Sequence, residues 1–280
     1  MEDQAIIRRH RGSTEGPGPI DEFALTGERT APGIPVENYW FRRHEVAYTA
    51  LVPFCTGATV LEAGCGEGYG ADRIAQTARA VVGLDYDQVT ASHAARRYPN
   101  VRVVRGNVTQ LPFPSGRFDV VASLQVIEHL WDQPGFLAEC RRVLRPAGTL
   151  LLSTPNRLTF TPGNVTLNPF HARELSAQEL VKAVESAGFE IIRTMGLRHR
   201  RRLRRLDRHY GSFVNAQLAG PAATWHPSLR RDVAAVRERD FVLSTADLDT
   251  SLDLVLVAVR RALPVPADLD VVTPSPAHEP

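Results

Sequence analysis

The sequence predicts an α/β protein built on a mostly parallel, doubly wound sheet. Three observations carry that expectation. Short apolar runs rich in β-branched residues recur along the chain, VVGLD and TLLLST among them. Between them lie segments whose apolar residues repeat at helical spacing. The strand-like runs are apolar on both faces instead of alternating, as strands covered by helices on each side must be.

Residues 1–22 are polar, rich in Gly and Pro and without a period, so they are expected to be disordered. From Glu37 to Val52 the run ENYWFRRHEVAYTALV reads as a helix, with Tyr39, Phe41, Val46 and Leu51 sharing much of one face. A strand follows at Thr59 to Ala63 and runs straight into glycines. Next come a helix from Tyr69 to Ala78, a strand at Val81 to Leu84 and a helix from Gln88 to Arg97. Strands are expected at Val101 to Val104 and Phe118 to Leu124. Asp132 and Pro134 start a further helix reaching about Leu144, and Pro146 with Gly148 end it. The fifth strand is TLLLST, from Thr149. Ser176 and Glu179 have the spacing of a capping box, opening a helix to Ala187 that Gly188 stops. FEIIRTM and LDLVLVAVR read as the last two strands. Residues 197–249 between them form an insertion with helical patterns of its own. Residues 262–280 hold five prolines and few large apolar groups, so a disordered tail is expected. One domain, 23–261, remains.

Composition narrows the function. At 280 residues and 43% hydrophobic, the chain has material for one substantial core. Basic and acidic residues nearly balance, 33 against 31, which argues against a polyanion partner, nucleic acid included. No apolar run approaches the ~18 residues of a membrane span. The N-terminus lacks the apolar middle region of a secretory signal. No membrane insertion and a cytoplasmic location are therefore expected. Cys55, Cys65 and Cys140 are too widely spaced for a disulfide framework or a zinc ribbon. Lys182 is the only lysine, so arginine clusters carry less weight here than usual. The run Leu197 to Tyr210, with seven arginines, reads as a solvated helix face or a place for an anionic acceptor. It lacks the interleaved aromatics of a single-strand binder.

Ligands in doubly wound sheets bind beyond the carboxyl ends of the strands. The first strand ends in VLEAGCGEGYG, with glycines at 64, 66, 68 and 70. Glycine is needed where backbone turns tightly and approaches a ligand with no Cβ in the way. From Gly66 the run also satisfies the dinucleotide pattern G-x-G-x-x-A. Glu62 and Glu67 argue against a dinucleotide, because carboxylates beside the turn would repel a pyrophosphate. A ligand bearing an ammonium and a sulfonium would tolerate them. Asp85, about twenty residues on, can accept bonds from both ribose hydroxyls. Tyr86 can pack on a purine, and Asn107 and the segment after FDVVASL add further contacts. Singly, each is an ordinary polar residue at a strand end. Together they follow the order of a nucleoside site.

The runs VLEAGCGEGYGA, GLDYD, GNVTQLPFPSGRFDVVASLQVIEHL and RVLRPAGTLLLSTPN resemble those of the class I S-adenosylmethionine-dependent methyltransferases, over about residues 57–195 plus the last strand. The resemblance implies a Rossmann-like sheet of seven strands with the last antiparallel, and S-adenosyl-L-methionine as cofactor. It implies that Glu62, Gly64 and Gly66 hold the methionine part and Asp85 the ribose, with Gln125 near the methionine. Asn107 stands where the family usually has an aspartate on the adenine amino group, and its amide oxygen can accept that bond. The flanks TGERTAPGIPVENYWFRRHEVAY, VIEHLWDQ and STPNRLTFTPGNVTLNPFHAREL are similar to one actinobacterial group. That group is associated with cytoplasmic 6-O-methylglucose lipopolysaccharides in mycobacteria. This narrower resemblance implies an α-1,4-glucan acceptor and transfer to a primary 6-hydroxyl. Other readings are a methyltransferase for a small phenol, quinone or secondary-metabolite sugar, a cofactor-binding scaffold without transferase activity, and a nucleic-acid methyltransferase using the arginine run.

A sugar hydroxyl is a poor nucleophile and benefits from a general base within hydrogen-bonding reach. His129, just after the fourth strand, is the first candidate; the plain alternative is a histidine that only orients its loop by bonding a backbone carbonyl. His171, in NPFH, is the second. Glu128 can orient a histidine or bond a sugar hydroxyl, or be a solvated or helix-capping acid. His171 and Glu174 have the spacing of half a metal site, but no third ligand stands at a suggestive distance, so no metal is expected. Tyr39, Trp40, Phe41, Phe160 and Phe170 are candidates for stacking on sugar rings or for core packing. Arg42, Arg43 and His44 are candidates to pair with the cofactor carboxylate.

Overall fold

Eight strands make one sheet in the computed structural model, which describes residues 30–161 and 168–261. They are β1 (Thr59–Ala63), β2 (Ala80–Asp85), β3 (Arg102–Arg105), β4 (Phe118–Leu124), β5 (Leu144–Pro155), β6 (Phe189–His199), β7 (Phe241–Ser244) and β8 (Asp253–Arg260). Their order is β3-β2-β1-β4-β5-β8-β6-β7. β1 to β5 pair in parallel, while β8 lies antiparallel between β5 and β6. The expected class and the antiparallel last strand are present, but the count is eight instead of seven. The extra strand, β7, lies inside the insertion and pairs antiparallel with β6 at the sheet edge. At four residues it is too short to show a period in sequence. β6 also runs past Met195 to His199, because β7 supplies the partner that extends it.

Nine helices complete the described chain: α1 (Asn38–Leu51), α2 (Tyr69–Ala75), α3 (Gln88–Arg97), α4 (Gln133–Val143), α5 (Arg157–Phe160), α6 (Ala177–Ser186), α7 (Arg201–Tyr210), α8 (Phe213–Leu218) and α9 (Pro227–Ala234). Asp132 caps α4 by accepting the Gly135 N–H, and the Ser176–Glu179 capping box is present in both directions. α2 ends three residues before the expected Ala78. α4 passes directly into β5, so Pro146 and Gly148 lie within an irregular strand start and not in a turn; Ala147 has φ of 59° there. Residues 1–22 and 262–280, expected to be disordered, lie outside the described residues.

Alternation along the strands feeds two layers. Leu61, Val121, Leu150 and Leu152 pack with Phe136 and Leu137 of α4 and Leu180 and Val184 of α6. Val60, Val120, Ala122 and Leu151 pack on the other side with residues of α1, α2 and α3. A third cluster joins the insertion to α1 through Tyr39, Leu203, Phe213, Leu229, Val233 and Phe241. Each such buried side chain contributes about 1.5–3 kcal/mol of transfer free energy, so the insertion is part of the folded unit. α7 buries Leu203 and turns Arg201, Arg204, Arg205 and Arg208 outward. Among the described residues, no helix is long and apolar enough to cross a membrane.

Candidate functional site: two cavities with a shared wall

The strand order reverses between β1 and β4, and the crevice beyond their carboxyl ends holds a cavity of about 240 Å³. Its wall includes Gly64 to Glu67 after β1, Asp85 at the end of β2 and Tyr86 beyond it, Asn107 after β3 and Gln125 after β4. Gly64 has φ of 83°, and a Cβ there would meet Val126 Cγ2 at 2.5 Å. Gly66, at φ of 53°, would meet nothing within 4 Å, so its backbone borders open space. Its N–H donates to Asp85 Oδ2 at 2.9 Å, and Asp87 N–H donates to Asp85 Oδ1 at 3.0 Å. Backbone donors thus aim the Asp85 carboxylate. Tyr86 is 72% exposed, with its ring available as a platform.

Three residues are placed differently from expectation. Glu62 is completely buried behind the wall; the Tyr48 hydroxyl, itself on the wall, donates to its Oε1 at 2.6 Å. Burial lifts the Glu62 carboxyl to about pH 8, so it is protonated near neutrality. Glu67 does reach the wall, but its carboxylate is held by Arg97 Nε at 3.1 Å, His93 Nε2 at 3.1 Å and the Tyr98 hydroxyl at 2.7 Å. Neither acid is a free anion, so charge repulsion gives no reason to exclude a pyrophosphate. Asn107 Oδ1 accepts both the Thr109 N–H (3.0 Å) and the Thr109 hydroxyl (2.9 Å). Both lone pairs of the amide oxygen are taken, which leaves Nδ2 as the group this residue can offer an adenine.

A second cavity, of about 350 Å³, opens beside the first. Trp40 and Arg43 of α1, Glu128, Phe160 of α5, Phe170, His171 and the stretch Gln217 to Trp225 of the insertion line it. The two cavities share Thr30, His44, Gln125 and His129. Gln125 sits in the left-handed region, with φ of 57°, its N–H donating to Ser153 O at 2.8 Å and its Nε2 to Ser153 Oγ at 3.2 Å. Such a non-glycine conformation costs about 1–3 kcal/mol, and the fold maintains it at the junction of the cavities.

His129 stands at that junction, and His171, on the wall of the second cavity, lies against it with ring centroids 5.0 Å apart. His129 Nδ1 lies 3.1 Å from the Phe170 carbonyl oxygen. A carbonyl only accepts, so Nδ1 carries the proton and Nε2 of the neutral ring is the acceptor nitrogen. His171 Nδ1 lies 2.7 Å from Glu174 Oε1, and its Nε2 lies 3.0 Å from Asn168 Nδ2. Glu128 is neither solvated nor a helix cap. It is buried, Thr154 Oγ1 donates to its Oε2 at 3.0 Å, and its Oε1 has no partner. Burial pushes its carboxyl up to about pH 8.

Of the candidates for a cofactor carboxylate, Arg42 pairs with Glu45 at 2.6 Å. Arg43 is buried against Asp253, with both carboxylate oxygens at 2.5 Å, and faces the second cavity. His44 lines both cavities, but burial lowers its pKa to about 4, so it is neutral near pH 7. Tyr39 and Phe41 belong to the core, whereas Trp40, Phe160 and Phe170 reach the second cavity. Sequence reasoning missed Tyr48 and the Arg43–Asp253 pair. Arg43 lies on the buried helix face with Tyr39 and Ala47, and Asp253 interrupts an otherwise apolar strand, so a pairing signal existed. Nothing local marked Gln217 to Trp225.

A family model described as "Methyltransferase domain" matches residues 61–152. A Mycolicibacterium smegmatis protein named "Probable S-adenosylmethionine-dependent methyltransferase" is 58% identical over 243 residues, covering 84% of this chain and 95% of its own length. A Mycobacterium tuberculosis protein of the same description is 53% identical over 246 residues, with 85% and 90% covered. Among solved structures, the [4+2]-cyclase SpnF superposes with a TM-score of 0.52 at 23% identity, over 77% of this chain and 80% of that one. A likeness at that identity shows the fold alone.

Proposed function

The chain belongs to the S-adenosylmethionine-dependent methyltransferases, and from that premise we propose that it methylates the 6-hydroxyl of glucose units in an α-1,4-glucan, with His129 as general base. One observation supports this reading above the others: the two cavities share a wall, and His129 stands in it. The first cavity suits the cofactor. Gly66 borders open space where a Cβ would intrude, and Asp85 presents a carboxylate of fixed orientation to a ribose. S-adenosyl-L-methionine, held there by the glycine turn and Asp85, would supply a sulfonium methyl for in-line transfer to the acceptor oxygen, with neutral thioether sulfur as the leaving group.

The chain's own residues prepare the acceptor. The Phe170 carbonyl holds the Nδ1 proton of His129, so Nε2 is the nitrogen that takes the hydroxyl proton. Holding the nucleophile against the cofactor cavity removes much of the entropic part of the barrier. Arg43 and Glu128 add buried polar groups to the acceptor wall, and Trp40, Phe160, Phe170 and Trp225 add aromatic surface suited to sugar faces. The choice of a glucan rests on the resemblance of the flanking segments to the methylglucose lipopolysaccharide group.

The test is transfer of labelled methyl from S-adenosyl-L-methionine to α-1,4-glucan oligomers, with a phenol, a quinol and RNA as parallel acceptors. Label on the glucose 6-oxygen is the expected result. Label on the phenol or quinol alone would replace the glucan by a small-molecule acceptor, and cofactor binding without transfer to any acceptor would point to a scaffold.

A further inference from the structure

We propose that Glu128, His129 and His171 form a binding site for one divalent transition-metal cation of the zinc or manganese class. Glu128 and His129 are adjacent after β4, and His171 reaches them from the segment after α5. One ligand atom of each lies within 4.8 Å of the others. Two imidazoles and one carboxylate are a donor set suited to such ions, and three protein ligands leave coordination positions open. Tetrahedral ligands at ~2.1 Å from an ion stand about 3.4 Å apart, so side-chain shifts on the order of an ångström close the site.

The outer shell is already in place. Ligating histidines almost always hold their second nitrogen's proton on a carboxylate or a backbone carbonyl. His171 Nδ1 does so on Glu174 at 2.7 Å, and His129 Nδ1 on the Phe170 carbonyl at 3.1 Å. Nε2 is then the ligand nitrogen of both rings. Glu128 supplies the independent observation: its Oε1 is buried without a hydrogen-bond partner, although the residue is part of the cluster. A cation satisfies that oxygen. Asn168 Nδ2, at 3.0 Å from His171 Nε2, must swing aside as the ion enters. All three ligands line the second cavity, so an open coordination position faces the acceptor.

The site's role rests on the methyltransferase reading. A hydroxyl bound to the cation loses its proton more readily than a free one, and the proton passes to solvent water. In the loaded enzyme His129 is therefore a ligand, and its task as base belongs to the metal-free form.

Equilibrium dialysis of the chelator-stripped full chain against Zn²⁺, and separately Mn²⁺, tests the site, with binding of S-adenosylhomocysteine and circular dichroism as controls for folding. One ion per chain is expected. Glu128→Gln and His171→Gln should each weaken binding by more than about 100-fold, beyond the effect of outer-shell changes. Glu174→Gln, which keeps all three ligands, should weaken it about 10–100-fold. A folded chain that binds neither ion stoichiometrically, or folded variants that bind like the parent, overturn the proposal. A chain that binds S-adenosylhomocysteine and transfers methyl, yet takes up neither ion in dialysis, would overturn the metal site and leave the methyltransferase reading standing. Ion binding by a chain that binds no S-adenosylhomocysteine would do the reverse.

Discussion

The two cavities share a wall but are built by different means. The first cavity, proposed for the cofactor, is made from short segments that follow consecutive strands, and much of its chemistry is backbone: the glycine turn, the N–H groups on Asp85 and the strained Gln125. The second cavity, proposed for the acceptor, is made from side chains of α1, the turn after β4, residues 168–171 and the insertion. A backbone site is dictated by strand–turn–helix geometry, so a fold can carry it from protein to protein. A side-chain site depends on which distant segments meet, so it can change acceptor while the first cavity stays the same.

Substitutions can separate the two cavities or show that they are not separable. The largest effect is expected from His129→Ala. In chelator, where His129 acts as base, turnover should fall by ~10²–10⁴ while cofactor affinity stays within a few-fold, because only the acceptor's proton has lost its destination. A matching loss of cofactor affinity, read by calorimetry, would mean that the shared wall belongs to both ligands. Arg43→Met comes next. It leaves Asp253 buried without its cation, and chemical denaturation should show a loss of about 3–5 kcal/mol. A loss below ~1 kcal/mol would show that water reaches Asp253 through the acceptor cavity.

Asp85→Asn should weaken S-adenosylhomocysteine binding by about 10–100-fold, the usual worth of hydrogen bonds to a charged group. Acceptor KM measured at saturating cofactor should not follow. A separate effect is on pH dependence. Burial holds the folded Glu62 carboxyl near 8, above an unfolded value of about 4.3. The unfolded chain therefore releases this proton first, and stability falls as pH rises from about 4.3 through 8, by up to ~1.4 kcal/mol per unit. Denaturation midpoints of Glu62→Gln between pH 5 and 8, in chelator, should show a shallower slope than the parent. An unchanged slope would mean that Glu62 is ionised behind the cofactor wall.

Most of the sheet was legible because strand and helix periods are local. β1, α1, α3 and β4 fall within a residue or two of their expected limits. The misses share one cause. β7 exists only because β6 offers it an edge, and the start of β5 at Leu144 is set by pairing with Phe118. The charges of Glu62 and Glu67 were misread for the same reason. Tyr48, Arg97 and Tyr98 surround them in space and are invisible in the glycine run itself.

By itself the sequence determined the doubly wound sheet, the glycine turn and the carboxylate that ends β2, since each follows from residues close together in the chain. Only the tertiary structure decided that Arg43 meets Asp253 across 210 residues, that His129 and His171 stand ring against ring, and that Glu128 completes a group of three with them. Contacts at that range leave no period and no spacing in the chain. They arise when packing layers bring segments together, and burial then decides which charges survive.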